Sequence, residues 1–252
     1  MDEQLYKAAT EGMNLPHDVI QLPSQGIFYK NKKKSVKIGY LTASDENLII
    51  SQVQNNPNDV VLSLIRNKLY EPELKVEELL EGDVQAILIF LRNTSFGSEY
   101  KMTLIDPKTN KPFDVDVVLD QLKIKQFETQ PDSNGNYLTN LPKSGDVVKL
   151  KLLSYHENTE ITESFANYPV GRVAPVITTK LLKQIVSIND NEDKNFISQY
   201  ITLMPIADSK FIRNFLNQNQ PGLDLKQSFK APSGEIVEAE INFGVEFFRP
   251  FF

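Results

Sequence analysis

Apolar and polar residues alternate with a period of two in some stretches of this chain and recur with a period near 3.6 in others, so the pattern predicts both strands and helices. Ile27-Phe28-Tyr29 and Val36-Lys37-Ile38-Gly39-Tyr40 flank the tip Lys30-Asn31-Lys32-Lys33-Lys34 and predict a hairpin. Gly26 precedes it as a turn residue where a Cβ would hinder the backbone. The first twenty residues read as a short amphipathic or loosely ordered arm. Tyr100, Met102 and Leu104 lead into the turn formers Asp106 to Pro112 and out through Phe113, Val115 and Val117, which predicts a second hairpin. Phe229, the turn Ala231-Pro232-Ser233-Gly234, then Val237, Ala239, Ile241 and Phe243 predict a third. Residues 128–145 have the composition of turns or a surface excursion, and 147–155 that of one more strand.

The 3.6 period begins at Thr42, where Thr42 or Ser44 can cap a helix carrying Leu48, Ile49 and Val53. Pro57 suits the first turn of the next, with Val60, Val61, Leu64, Ile65 and Leu69 on one face. After a turn at 77–80, Gly82-Asp83 opens a strongly apolar helix through Ala86, Ile87, Leu88, Phe90 and Leu91. Asp83 is placed as its N-cap and Arg92 as a favourable charge near its C-terminal end, with a buried Asp83–Arg92 pair as the alternative. Gly97 then turns the chain. Residues 156–172 are polar and turn-prone. Beyond them Pro175 opens a helix through Val186, Asn189 or Asp190 caps a second, and Asp208 caps a third that ends at Pro221-Gly222.

These elements predict an α+β fold of helices and antiparallel hairpins. The organisation expected is an N-terminal α+β domain over 1–155 and a C-terminal helical segment with closing hairpin and aromatic tail over 156–252. The echo of hairpin, helices, hairpin suggests two related halves.

Composition narrows the chemistry. The 252 residues include fifteen Phe and nine Tyr, which argues for a packed core, and no Cys, which removes disulfides and thiolate metal sites. The net charge of −6 argues against a general nucleic-acid binder, which needs a basic surface. The lysine tip reads as a solvated turn, with an acidic neighbouring subunit as the alternative ligand. No basic n-region with an apolar core starts the chain, and no apolar run approaches the ~20 residues needed to span a bilayer. A protein that stays in the cell that made it, off the membrane, is the expectation.

Candidate catalysis is sparse. Only His17 and His156 occur, in no recognisable local arrangement. Asp114 and Asp116 share a strand face with Asp106 at the adjoining turn, so the three could converge on Mg²⁺ in a hydrolase; a solvated strand face presents the same residues. No phosphate-binding glycine loop or dinucleotide fingerprint is found.

Four dispersed pieces carry more information: Leu22-Pro23-Ser24-Gln25-Gly26-Ile27-Phe28-Tyr29, Gly82-Asp83, Leu91-Arg92-Asn93-Thr94-Ser95-Phe96-Gly97-Ser98-Glu99-Tyr100, and Phe247-Phe248-Arg249-Pro250. In this order they resemble the baseplate hub and hub assembly proteins of T-even-like contractile-tailed bacteriophages. The resemblance implies a non-catalytic tail protein, acting in hub assembly or as a baseplate subunit, with other baseplate or tail proteins as partners. It implies the host cytoplasm during assembly and the tail baseplate as locations, and is compatible with self-association. In family relatives the second and third hairpins tend to carry paired cysteines. Here those tips have none, so no metal or other cofactor is expected.

The tail Phe247, Phe248, Arg249, Pro250, Phe251, Phe252 is too apolar to leave in water, which would forgo roughly 1.5–3 kcal/mol per Phe. Either it folds back on its own domain, or Phe247, Phe248, Arg249, Phe251 and Phe252 anchor the chain to a partner.

Overall fold

The computed structural model describes residues 16–51, 57–125, 128–166, 168–169, 171–241, 243 and 245–248. It is an α+β fold of helices and short antiparallel sheets. β1 (His17–Gln21) pairs with β2 (Ser35–Gly39). α1 (Ala43–Ser51) and α2 (Pro57–Lys68) follow, then α3 (Glu81–Phe96). β3 (Glu99–Ile105) and β4 (Pro112–Val118) form the expected hairpin, with Tyr100 opposite Val117, Met102 opposite Val115 and Leu104 opposite Phe113. β5 (Asn136–Asn140), β6 (Val147–Lys151) and β7 (Ile185–Ile188) make an antiparallel sheet in that order. α4 (Tyr155–Ser164) and α5 (Val176–Gln184) lie between β6 and β7 in the chain. α6 (Lys194–Leu203), α7 (Ile206–Gln218) and the hairpin of β8 (Lys226–Lys230) and β9 (Ile236–Glu240) complete the chain up to a last 3₁₀ turn, Val245–Phe248.

α3 is buried because its apolar residues run around most of its circumference: Val84, Ile87, Leu88, Ile89 and Leu91 are all in the core. One continuous cluster of buried side chains extends from Leu22 to Phe248. It crosses position 155, where the sequence suggests a boundary, and so does the pairing of β6 with β7.

Several local expectations change. The partner of β2 is β1, inside the stretch read as an arm, while residues 23–30 are turns rather than strand. The sheet prefers the longer register of 17–21 against 35–39, and residues 22–34 become the loop between them. The polar stretch 128–145 contains β5, whose Tyr137 is 1% exposed. Residues 156–172 begin with α4, which carries a complete capping box: the Ser154 hydroxyl accepts the Glu157 N–H, and the Glu157 carboxylate accepts the Ser154 N–H. Ile185 and Val186 belong to β7, because pairing with β6 overrides the helical period that precedes them. Asn189 and Asp190 form a turn at φ +48° and +63°, and Asp193 caps α6 instead.

Candidate functional site

The dispersed sequence pieces meet at the two ends of α3. At its start, the Asp83 carboxylate is fully buried. Its Oδ1 accepts the Ser24 N–H at 2.9 Å, and its Oδ2 accepts the Tyr29 hydroxyl. Tyr29 Oη in turn accepts the Leu80 N–H at 3.0 Å. Burial pushes the Asp83 carboxyl up, against the hydrogen bonds from Ser24 and Tyr29; burial and then the Asp83 charge push the Tyr29 hydroxyl well above its usual value. Tyr29 therefore keeps its proton and donates it. The N-cap expectation for Asp83 is corrected, since α3 starts two residues earlier and Leu80 stands at the cap with no side-chain bond. Asp83 spends its carboxylate on a loop 59 residues away instead.

Glycines make this packing possible. Gly26 has φ +70°, and a Cβ there would lie 2.5 Å from the Lys33 carbonyl oxygen. A Cβ on Gly82 would lie 2.1 Å from the Pro221 carbonyl oxygen, so α3 touches the 221–222 backbone directly.

At the other end, the Arg92 guanidinium is a fork on three carbonyls. Nε donates to Phe247 O at 3.0 Å, Nη1 to Gly97 O at 2.6 Å and Nη2 to Glu99 O at 3.0 Å. It also lies 5.1 Å from the Tyr100 ring centroid and 5.5 Å from that of Phe247. Gly97, at φ +86°, lets the chain leave the helix and present its carbonyl to this fork. The alternative Asp83–Arg92 pair is also corrected: nine residues separate the two along the helix, about 13 Å of rise, and each is committed elsewhere.

Phe247 is completely buried and Phe248 is 8% exposed. Phe247 packs on Tyr100, Phe243 and Phe248, with centroids 5.3, 4.8 and 5.1 Å away. As partner anchors these two are corrected: their rings belong to the chain's own core, where burying them is more favourable than leaving them in water. Arg249, Phe251 and Phe252 lie outside the described residues. The lysine tip is partly tied down, with Lys32 Nζ donating to the carbonyls of Ile27 and Ser133 and Lys33 3.1 Å from Glu71.

Residues 24–249 match the family model of the T4 bacteriophage base plate protein. The chain belongs to this family. Comparison with curated proteins and with solved structures gives no match. In this baseplate protein the matched span starts at the residue whose N–H Asp83 holds and ends just past the Phe247 carbonyl that Arg92 holds.

The carboxylates considered for Mg²⁺ have other partners. Asp106, 1% exposed, accepts the N–H groups of Lys108 at 2.9 Å and Thr109 at 3.3 Å in its own tip. From the β8–β9 tip it accepts the Ser233 N–H at 3.1 Å and hydroxyl at 2.8 Å. Asp114 takes the Thr103 hydroxyl at 2.8 Å, and Asp116 faces Lys101 across the ladder. Among the described residues no group of three acidic or histidine side chains is arranged to hold a metal ion. Asp106 thus joins the two hairpin tips. Asp208, expected as a cap, behaves likewise: its carboxylate accepts the N–H groups of Lys143 at 2.8 Å and Ser144 at 3.0 Å. Sequence reasoning missed these long-range roles, for which Asp beside a turn or in a first helical turn is the only local sign.

The Asp106 clamp is expected to be acid-labile. Burial alone would raise its carboxyl, but the Ser233 hydroxyl and the three N–H groups outweigh it and hold the group below the usual carboxylate range. The unfolded chain therefore takes up its proton first as pH falls. The clamp's contribution is complete above about pH 4 and is lost as pH drops through the lower folded value. Amide exchange at Lys108, Thr109 and Ser233, corrected for intrinsic rates, should accelerate in that acidic window in the native protein and lose this pH dependence in Asp106→Asn. Exchange that does not change with acid in the native protein would refute the clamp.

Proposed function

We infer that this baseplate protein is a non-catalytic element of the baseplate hub, acting as a structural subunit or as a factor in hub assembly. One observation carries the reading: the sequence pieces that carry the resemblance hold backbone in place at both ends of α3, and among the described residues no reactive constellation is built from them. A rigid core of this kind suits a part whose work is to present surfaces to neighbours. Other baseplate or tail proteins are its partners, with self-association among the contacts open to it. Nucleic acid is not a partner, given the net charge of −6. Assembly would take place in the host cytoplasm. Among the described residues no helix is long and apolar enough to cross a membrane.

Arg249, Phe251 and Phe252 are the anchors proposed for a neighbouring subunit, following directly on the buried Phe247-Phe248. Mass spectrometry of purified particles set against infected-cell lysate tests the role. A defined copy number in tails identifies a subunit, and presence in lysate and tail intermediates alone identifies an assembly factor. Absence from both tails and intermediates would refute the reading. A chain ending at Phe248 should fold normally yet fail to enter either, and its normal incorporation would release these residues from the role.

A further inference from the structure

The corner between α6 and α7 carries an apolar stripe that the described residues leave uncovered. Leu203 ends α6 and Ile206 begins α7, and each is 84% exposed. Phe196, 39% exposed, precedes Leu203 by seven residues and therefore lies on the same face of α6. Its ring contacts that of Tyr200, which stands between them, at a centroid distance of 6.2 Å. Pro205 and Ala207, both exposed, continue the apolar surface around the corner. Single aliphatic side chains on a surface are ordinary, whereas a continuous stripe marks a contact.

The charges around the stripe are divided between its ends. At the Phe196 end stand Asp190, Glu192 and Asp193, all exposed, with Asp193 capping α6. At the Ile206 end stand two exposed lysines. Lys210 follows Ile206 by four residues, on the same face of α7. Lys143 lies against the first turn of α7, where its N–H donates to the Asp208 carboxylate at 2.8 Å. Asp208 itself is buried, and Asp146, beside Tyr200, spends its carboxylate on the Tyr200 hydroxyl and the Asn189 amide. Between the two ends, from Phe196 to Leu203, the helix carries no carboxylate and no amine.

An apolar face with one acidic and one basic end is complementary to itself when turned around. We propose that this face pairs two copies of the chain across a two-fold axis, α6 lying antiparallel to the α6 of the second copy and the axis passing beside Tyr200. Phe196 then meets the second copy's Leu203, and the acidic turn 190–193 of each copy faces Lys143 and Lys210 of the other. A parallel pairing would set carboxylate against carboxylate and lysine against lysine. Apolar burial supplies the affinity, and the exposed ion pairs at the ends fix the direction. Since α6 is about 15 Å long and an ordinary interface takes about 800 Å² from each partner, the charged ends belong to the contact rather than to its margin. The pairing rests on this face alone and not on the baseplate reading.

Sedimentation velocity of the full-length protein from about 1 μM to 1 mM tests it. The protein should pass reversibly from monomer to dimer across that range. Leu203→Gln and Ile206→Gln should each weaken the dimer about tenfold or more, with the unfolding midpoint of the dilute monomer unchanged because neither side chain is in the core. Lys210→Glu and Glu192→Lys should each weaken it about threefold or more. The double variant should regain most of the native affinity, because the exchanged charges meet again across the axis. A monomer at every concentration, dimers indifferent to both glutamine substitutions, or a double variant weaker than either single one would each overturn the proposal. Because the measurement needs no phage particle, its failure leaves the baseplate reading standing. Absence of the protein from tails and intermediates would leave the dimer untouched.

Discussion

Replacing Arg92 with methionine is expected to destabilise the isolated protein by about 2–4 kcal/mol, read as a lower urea midpoint at unchanged slope. The substitution keeps most of the side-chain volume but removes every donor from the carbonyls of Gly97, Glu99 and Phe247. The bond to the Phe247 carbonyl is buried, so water has poor access to replace that donor, whereas Gly97 and Glu99 are exposed and their carbonyls can turn to water. An unmet buried carbonyl costs about 1–3 kcal/mol, and the Phe247 carbonyl together with the lost contacts to the Tyr100 and Phe247 rings sets the size of the effect. Arg92→Lys should recover only a fraction of it, since one ammonium lacks the planar fork that reaches three oxygens at once. The last turn, Val245–Phe248, should lose its exchange protection in the same variants. A loss under about 1 kcal/mol for Arg92→Met would show that the fork does not hold the C-terminal turn to α3.

The second large effect is expected at Asp83, where three substitutions separate a buried latch from a helix cap. Asp83→Ala should cost about 3 kcal/mol, because the Ser24 N–H and the Tyr29 hydroxyl both lose a buried acceptor. Asp83→Asn should cost about 1–2 kcal/mol, since the amide oxygen can still receive Ser24 while its NH₂ confronts the Tyr29 hydroxyl donor. A simple N-cap would treat Asn as nearly silent. Tyr29→Phe should resemble the Asn variant, because it also strands the Leu80 N–H. In thermal or urea unfolding, a silent Asp83→Asn would restore the cap and remove the latch.

The local patterns that held were those whose cause is local. Alternation in Tyr100, Met102, Leu104 and Phe113, Val115, Val117, with turn formers between, sufficed for β3 and β4, because a hairpin's register follows from its own tip. The apolar circumference of α3 was equally legible. Where pairing is long-range, the sequence was a poorer guide: β1 found β2 across a 13-residue loop, and β7 left a helical pattern to join β6. Ser154 and Glu157 did carry a readable helix start, in a stretch whose polarity suggested turns.

The sequence by itself determined the family, the α+β class and the absence of cysteine, and it singled out Gly26, Asp83, Arg92 and Gly97. Tertiary structure alone decided what those residues do. Asp83, Asp106 and Asp208 look like caps or solvated turn residues one by one, and only the folded chain brings each to backbone N–H groups 59, 127 and 65 residues away. Phe247 likewise became a core residue only when Arg92 and Tyr100 closed around it. The physical reason is common to all of them: a charge or ring near a turn has the same local signature whether it meets water or a distant segment, and burial is fixed by the whole chain.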